Sequence, residues 1–318
     1  MLGGLDPSRI GIYLQDPVDP SKWTFVGGVV DPVNCTVSVW LTHFSKYAVM
    51  ANDTEFGDMS GHWAKDQVST LASKGIVGGV GGGMYDPERP VTRAEMAKIL
   101  VNSLRLDGRR GIELLTPATP TFSDVPVNQW YYSYVETASA LGLVTGFEGK
   151  FRPDDPVTRE EMAALAVRAL GVEDKVALLE GRETAYEDNP EFGSWAKKYA
   201  VLAKFKGVMQ GVAPTRFDPK GHTTRVQAAV IMIRILERLG LLVKTEVFRG
   251  KVRYSEVEGP HVELEVTEDG KTVRYVLLPD GGPNGPVADR FDGLVGLELR
   301  VLAVRQEGAG IYMRSEER

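Results

Sequence analysis

Thr92-Arg93-Ala94-Glu95 opens an apolar-periodic run, and its pattern recurs twice at a constant interval. Thr158-Arg159-Glu160-Glu161 follows 66 residues later, and Thr224-Arg225-Val226-Gln227 follows after another 66. Threonine before a helix, with Glu or Gln three residues on, is the pattern of a capping box, in which both side chains satisfy free backbone N–H groups. The sequence therefore predicts three equivalent helix starts, with these capping residues: Thr92, Glu95, Thr158, Glu161, Thr224 and Gln227.

The arginine of each stretch requires a separate explanation. Arg93, Arg159 and Arg225 occupy the first helical position, where the positive end of the helix dipole disfavours a cation. One explanation is a ligand, since a helix N-terminus favours anions and a guanidinium fork suits carboxylate or phosphate. The other is an ion pair with an Asp or Glu of a neighbouring repeat. The residues alone leave both explanations open.

Each stretch belongs to a longer unit between residues 56 and 242. An aromatic residue is followed two residues later by Asp, then by Trp, then by a short helix that ends at Gly, where a left-handed cap is expected. These residues are Phe56, Asp58, Trp63 and Gly75 in the first unit, Phe122, Asp124, Trp130 and Gly142 in the second, and Tyr186, Asp188, Trp195 and Gly207 in the third. The short helices are predicted at Ala64–Lys74, Tyr132–Leu141 and Ala196–Lys206. One such unit cannot bury its apolar face alone, so the three units are expected to pack on one another.

The flanking regions show strand patterns. Strands at Trp23–Val26, Thr36–Leu41 and Tyr47–Met50 predict the C-terminal part of a truncated β-sandwich-like domain. Near the other end, five strands predict a small OB-like barrel: Thr245–Tyr254, His261–Val266, Thr272–Leu278, Gly296–Val304 and Ile311–Arg314. The predicted class is α+β multidomain, with a β-sandwich remnant at 1–52, repeats at 53–110, 122–173 and 186–243, linkers at 111–121 and 174–185, and the small β-barrel at 244–318.

Composition excludes several classes of function. A net charge of −6 and a pI near 5.4 argue against general nucleic-acid binding, which needs a basic face. The single cysteine excludes an intrachain disulfide framework and any multi-cysteine zinc site. No metal or cofactor is expected. No window of 18 apolar residues predicts a transmembrane segment, and the N-terminus lacks the pattern of an export signal. The sequence is therefore expected to be a C-terminal fragment or a truncated gene model.

No catalytic pattern is present. The glycine-rich Gly78–Gly83 lacks the Lys-Ser/Thr of a phosphate-binding loop, and no G-x-S-x-G elbow occurs. Glu160 and Glu161 are adjacent on a helix and point in different directions, so they do not form a pair for glycoside hydrolysis. The sequence predicts a protein that is not an enzyme.

The repeat region resembles the S-layer homology family. The resemblance rests on Phe56-Gly57-Asp58, His62-Trp63, Gly75-Ile76-Val77-Gly78-Gly79, Tyr85-Asp86-Pro87 and Val91-Thr92-Arg93-Ala94-Glu95-Met96, and on their counterparts in the other two units. It implies three tandem repeats of a bacterial cell-surface protein that form a mainly α, pseudo-threefold bundle. It also implies that grooves between repeats hold a secondary cell-wall polysaccharide, often one ending in pyruvylated N-acetylmannosamine.

The resemblance also names candidate binding residues. The family's arginine contacts the acidic pyruvate ketal, which implies this role for Arg93 and Arg159. Arg225 lies in Thr-Arg-Val-Gln, which departs from the family pattern and weakens the expectation there. The other candidates are Asp58, Asp124 and Asp188, with turn or capping roles as the alternative; Trp63, Trp130 and Trp195, with core packing as the alternative; and Gly78, Gly79, Gly146 and Gly211, with turn roles as the alternative.

The expected function is therefore non-covalent anchoring of an extracellular protein to the cell wall or S-layer, through a polysaccharide linked to peptidoglycan. One alternative is an assembly domain of a surface-layer lattice that self-associates, with the arginines in ion pairs. Another is a tether for a C-terminal β module that carries the specific binding activity. Nucleic acid is not an expected partner.

Overall fold

A computed structural model describes residues 6–31, 36–41, 43–242, 245–255, 261–268, 271–278, 298–306 and 310–315. The chain forms two compact units. The first consists of Met1–Val29 and Ser38–Leu242, and the second consists of Val30–Val37 and Val243–Arg318. The mixed helix-and-strand class predicted from the sequence is confirmed. Among the described residues, no helix combines the length and the hydrophobicity needed to span a membrane.

The N-terminal strands form two small sheets. Strands β1 (Ile10–Gln15), β2 (Trp23–Gly27) and β5 (Tyr47–Ala51) make an antiparallel sheet in the order β2-β1-β5. Strands β3 (Val29–Asp31) and β4 (Thr36–Ser38) pair with each other. The central strand β1 is absent from the sequence prediction.

Two buried polar contacts join the three-stranded sheet to the first repeat. The Tyr13 hydroxyl donates to the Ser73 carbonyl at 3.1 Å, and the Lys74 ammonium donates to the Ile10 carbonyl at 3.0 Å. The sheet therefore belongs to the same compact unit as the repeats, whereas the sequence predicts a domain boundary after residue 52.

Six α-helices form the repeat region, two in each unit: α1 (Lys65–Ser73), α2 (Arg93–Leu104), α3 (Tyr132–Ala140), α4 (Arg159–Ala169), α5 (Lys197–Phe205) and α6 (Arg225–Arg238). The first helix of each unit ends before a glycine with positive φ: 64° at Gly75, 69° at Gly142 and 70° at Gly207. Left-handed backbone is unfavourable for residues with a Cβ, which explains glycine at these three helix ends.

The second helix of each unit begins with a capping box. In α2, the Glu95 N–H donates to the Thr92 hydroxyl at 3.2 Å, and the Thr92 N–H donates to the Glu95 carboxylate at 3.0 Å. The same reciprocal bonds occur between Thr158 and Glu161, and between Thr224 and Gln227.

A closed ring of backbone hydrogen bonds joins the three repeats just before these caps. The Val91 N–H donates to Thr223 O at 2.9 Å, Thr223 N–H to Val157 O at 2.9 Å, and Val157 N–H to Val91 O at 3.0 Å. All three residues are fully buried. Each repeat is thus bonded to both others, which supports the predicted pseudo-threefold bundle.

The core of the repeat region contains one aromatic pair from each unit. Ring centroids lie 5.3 Å apart in Phe56–Tyr85, 5.5 Å in Phe122–Phe151 and 5.4 Å in Tyr186–Phe217. All six rings belong to one buried apolar cluster that spans the three units. Because this cluster is shared, a single repeat would expose much of its apolar surface.

The second compact unit, Val30–Val37 with Val243–Arg318, contains a mixed five-stranded sheet. This sheet closes on itself in the order β10-β8-β7-β6-β9. Its strands are β6 (Thr245–Ser255), β7 (His261–Glu268), β8 (Lys271–Leu278), β9 (Glu298–Gln306) and β10 (Gly310–Ser315). The OB-like assignment stays a prediction.

Candidate functional site

The arginine at the start of each capping-box helix contacts the next repeat. From Arg93, Nε donates to Phe151 O at 2.7 Å and Nη2 to Thr145 O at 2.8 Å. Its Nη1 lies 3.2 Å from a Glu161 carboxylate oxygen. This explains a cation at a helix N-terminus, because the guanidinium leaves its own helix and satisfies carbonyls of the second repeat.

Arg225 makes the equivalent contacts from the third repeat back to the first. Its Nε donates to Tyr85 O at 2.9 Å and its Nη2 to Gly78 O at 2.7 Å. Its Nη1 donates to the Glu95 carboxylate at 2.7 Å. The ion-pair explanation is therefore realised at both Arg93 and Arg225, within one chain.

Arg159 completes the cycle from the second repeat to the third, but without a carboxylate. Its Nε donates to Phe217 O and its Nη2 to Gln210 O, both at 2.7 Å. Among the described residues, no carboxylate oxygen lies within 4.0 Å of its guanidinium. The cause is in the sequence, since Gln227 stands where the other two repeats have Glu95 and Glu161.

Each guanidinium also lies over the loop aromatic ring of the next repeat. The distance from the guanidinium carbon to the ring centroid is 4.9 Å for Arg93 over Phe151 and 5.0 Å for Arg159 over Phe217. Burial lowers the pKa of both arginines, although nearby carboxylates oppose this effect. Even so, a guanidinium remains protonated at every physiological pH.

Arg225 lines a cavity of about 210 Å³, to which the first repeat contributes most residues, the second repeat Trp130 and the third repeat Arg225. Four predicted binding residues meet there: Gly78, Gly79, Trp130 and Arg225. The other lining residues are Ile76, Val77, Tyr85, Glu95, Lys98 and Ile99. Among the three repeat arginines, Arg225 has the weakest expectation of ligand contact from the sequence, and yet it lines this cavity.

The charge of this cavity is mainly positive. Arg225 and Lys98 supply two cations and Glu95 supplies one carboxylate, which is also held by Arg89 at 2.6 Å. Burial would raise the pKa of Glu95, but hydrogen bonds from Arg89 and the Thr92 N–H, with the charge of Arg225, outweigh it and lower the pKa. Glu95 therefore stays ionised, and Lys98 is left as the cation without a carboxylate partner in the part of the chain that the structure describes.

The tryptophan of each repeat is exposed, and the core-packing interpretation of these three residues is wrong. Their exposed fractions are 68% for Trp63, 55% for Trp130 and 44% for Trp195. The Lys98 ammonium lies 5.9 Å from the Trp130 ring centroid, at the edge of the cavity. A flat apolar ring next to a cation is thus available to a ligand at Trp130.

The three aspartates of the repeats close the loops that carry the aromatic residues. Asp58 accepts from the N–H groups of Tyr85 at 2.8 Å and Asp86 at 2.7 Å. Asp124 and Asp188 accept the equivalent pairs, from Phe151 and Arg152 and from Phe217 and Asp218. The second residue of each pair has φ near +60°, a conformation that costs energy outside glycine. The geometry favours the turn role of these carboxylates over sugar contact.

Three of the predicted binding glycines are required by packing. A Cβ at Gly79 would lie 2.7 Å from Met84 O and 2.9 Å from the Phe56 ring. At Gly146 and Gly211 a Cβ would lie within 2.7 Å of the Phe122 and Tyr186 rings. A Cβ at Gly78 would have no atom within 4 Å, and the Gly78 carbonyl accepts from Arg225. Only Gly78 therefore leaves room for close approach of a ligand.

Lys98 is the site residue that sequence reasoning missed. It lies three residues after Glu95 on α2, so the two side chains share a helix face. The corresponding residues of the other repeats are Ala164 and Val230, so no repeat pattern marks this position.

Acid is expected to destabilise the repeats through these carboxylates. Hydrogen bonds from backbone N–H groups outweigh burial and lower the pKa of Asp58 and Asp124 below the ordinary 3.8, and that of Glu95 is lowered below 4.5. A group whose pKa is lower in the folded state stabilises the fold above its unfolded pKa, and this stabilisation is lost as pH falls through the folded value. We expect the free energy of unfolding to decrease from about pH 5 downwards.

Denaturant titrations across this pH range would measure the free energy of unfolding, and an Asp124→Asn variant should show a shallower decrease. A stability that stays constant down to about pH 3 would contradict this expectation.

The first two repeats match a known family model. The model for the S-layer homology domain matches residues 55–97 and 121–163, which contain the first two aromatic-Asp openings and capping boxes. Residues 55–97 and 121–163 are thus two S-layer homology domains. The third unit lies outside the matched ranges and has the same capping box, arginine contacts and aspartate contacts as the first two domains.

Related proteins carry similar segments. The chain is 34% identical over 235 residues to an amylopullulanase of Thermoanaerobacterium thermosulfurigenes, covering 74% of this chain and 12% of that protein. It is 32% identical over 190 residues to the exoglucanase XynX of Acetivibrio thermocellus, covering 60% and 17%. It is 29% identical over 238 residues to the surface-layer 125 kDa protein of Lysinibacillus sphaericus, covering 73% and 19%. The chain thus spans less than a fifth of the length of each of these relatives.

Proposed function

We propose that the S-layer homology repeats anchor the protein non-covalently to a bacterial cell wall by binding an acidic secondary cell-wall polysaccharide. The observation that carries this proposal is the cavity in which Arg225 and Lys98 meet the exposed face of Trp130. The relatives include S-layer and cell-surface proteins as well as surface enzymes, which supports a shared role in attachment. We place the protein outside the cell, at the wall or S-layer, and assign no catalysis to these repeats.

The charge of the cavity selects an acidic ligand. Glu95 neutralises one of the two cations, and the Lys98 ammonium remains available for a carboxylate. A carboxylate bonded to an ammonium in a partly desolvated site contributes more than a neutral hydrogen bond. A pyruvylated sugar has a carboxylate of this kind at its terminus, and we propose this chemistry for the bound residue.

The exposed tryptophan favours a saccharide over an inorganic anion. The apolar face of a sugar ring can stack on the Trp130 ring while its acidic substituent reaches Lys98, 5.9 Å away from the ring centroid. The open space at Gly78 leaves room for a bulky group beside the glycine loop. Together these features fit one acidic sugar unit.

We propose a second binding groove at Arg159, with a different source of positive charge. Arg159 has two carbonyl partners and no carboxylate, because Gln227 replaces the glutamate of the other repeats. We propose that a ligand carboxylate takes the place of that missing side chain. Linked sites on one polymer raise the overall affinity through effective concentration, without new contacts at either site.

The ion pairs favour an alternative explanation at the other two arginines. Arg93–Glu161 and Arg225–Glu95 join repeats of a single chain, so a structural role accounts for these arginines. This alternative extends to an assembly domain of a surface layer. It predicts that loss of Lys98 and Trp130 leaves wall binding unchanged.

A Lys98→Ala/Trp130→Ala double variant tests the proposed site. Soluble polysaccharide released from Gram-positive walls would be titrated against the full chain by calorimetry. We expect the dissociation constant at this groove to increase about 10- to 150-fold, since a charge-assisted bond contributes about 1.5–3 kcal/mol.

The chain offers a matched control for this variant. The Lys206 ammonium lies 5.9 Å from the ring centroid of Phe205, which is 81% exposed, the same separation as in the Lys98–Trp130 pair. Lys206→Ala/Phe205→Ala should bind like the unmodified chain. Equal affinity of both double variants would contradict the placement of the site.

A further inference from the structure

A second, larger cleft lies between the N-terminal strands and the first repeat, inside one compact unit. Its volume is about 570 Å³, within the range of about 300–1,000 Å³ for ligand pockets. Strand β2 and the segment around Trp40 form one wall, and the end of α2 with the following loop forms another. It shares no lining residue with the cavity of Arg225.

The cleft carries excess positive charge in a chain whose net charge is −6. Lys74, Arg105 and Arg110 line it, against Glu113 as a carboxylate. Arg105 Nε donates to Ile112 O at 3.0 Å, which is a neutral acceptor. No carboxylate of the described residues lies within 4.0 Å of these three cations.

Lys74 is the most unusual of these cations, because it is only 3% exposed. Its ammonium donates to the Ile10 carbonyl at 3.0 Å and lies 5.8 Å from the Phe25 ring centroid. Burial lowers its pKa to about 8, partly offset by Asp6. Its burial and its bond to Ile10 O give this ammonium a structural role, so it adds positive charge to the wall of the cleft, and Arg105 and Arg110 are the cations that a ligand can reach.

An exposed tryptophan lines the same cleft. Trp40 is 69% exposed, although its main chain is fixed, since its N–H donates to Asp107 O at 3.0 Å. Gly108 packs against the Trp40 carbonyl, where a Cβ would lie 2.2 Å away. Tyr47 and Tyr134 line the cleft as well. The exposed Trp40 ring and the half-buried tyrosines therefore offer apolar stacking surface to a ligand.

We propose that this cleft binds a carboxylated saccharide, such as a uronic acid unit, at a site separate from the grooves between repeats. The cations complement the carboxylate, and the rings complement the flat C–H face of the sugar. An acidic peptide would use the cations but not the stacking surface of Trp40, so the structure favours the saccharide. The proposal does not depend on the function of the inter-repeat grooves.

The test is calorimetric titration of the full chain with oligogalacturonate. Neutral cello-oligosaccharide and polyglutamate serve as comparison ligands. We expect binding of oligogalacturonate alone, weakened about 10-fold or more in Trp40→Ala/Arg110→Ala. A control pair of similar exposure and chemistry, Phe205→Ala/Arg182→Ala, should bind like the unmodified chain.

Each other outcome has a defined meaning. Absence of oligogalacturonate binding, or equal binding by Trp40→Ala/Arg110→Ala, would overturn the proposal. Equal binding of polyglutamate would overturn the saccharide assignment. Lys98→Ala/Trp130→Ala should leave binding at the cleft unchanged, so a failure of the inter-repeat site and a failure of this cleft can be told apart. Circular dichroism and melting temperature would show that each variant is folded.

Discussion

Arg225→Ala is expected to lower the free energy of unfolding by about 3 kcal/mol, the largest stability effect among the repeat arginines. Its guanidinium is buried and joins the third repeat to the first through Tyr85 O, Gly78 O and the Glu95 carboxylate. Removal leaves two loop carbonyls without these donors. Glu95 keeps its bond to Arg89, so the cost lies at the lower end of the range for breaking a buried ion pair.

Thermal unfolding of the full chain measures this effect. A loss of about 3 kcal/mol corresponds to a decrease in melting temperature of roughly 6–12 °C for a unit of this size. Arg216→Ala is the control, because Arg216 is 60% exposed and its ion pair with Asp218 at 3.3 Å is a surface contact. That variant should change stability by less than about 1 kcal/mol. Equal melting temperatures for the two variants would contradict a structural role for Arg225.

Arg159→Ala is expected to have the largest effect on binding of acidic polysaccharide among the three repeat arginines, a weakening of about 10- to 150-fold at the groove we propose for it. Among the three arginines it alone lacks a carboxylate partner within the described residues, so its charge is the one left for a ligand. Because linked grooves act together on a polymer, the measurement uses short fragments that occupy one groove at a time.

Gln227→Glu provides the reciprocal test without removing the arginine. The new carboxylate would stand where Glu95 and Glu161 stand in the other repeats and would neutralise Arg159. We expect weaker binding of acidic fragments and a higher melting temperature. Glu161→Gln should do the opposite at Arg93, with stronger binding and lower stability. If Gln227→Glu binds as tightly as the unmodified chain, the Arg159 groove does not hold the anion.

The local features of the repeats were predictable because they depend on neighbouring residues. A Thr with Glu or Gln three positions later forms its bonds within one helical turn, so spacing alone specified the helix starts. The cap glycines were predictable for the same reason. In contrast, β1 was missed because the alternation of Ile10–Gln15 is short and interrupted by Gly11.

The arginine contacts could not be predicted, since their acceptors lie in another repeat. Arg225 bonds to Gly78, 147 residues earlier in the chain. The sequence comparison weakens the expectation of ligand contact at Arg225, the arginine next to Gln227 in the chain. In the structure, the third helical residue of a repeat pairs with the arginine of the preceding repeat, as Glu161 does with Arg93. The substitution therefore affects Arg159.

Co-sedimentation of the full chain with purified Gram-positive walls tests the central claim of wall anchoring most directly. Walls that retain their secondary polysaccharide would be compared with walls stripped of it by acid. We predict that the unmodified chain binds the intact walls and does not bind the stripped walls. The Lys98→Ala/Trp130→Ala/Arg159→Ala variant should not bind the intact walls. Equal binding of the unmodified chain to both kinds of wall would contradict anchoring through the polysaccharide.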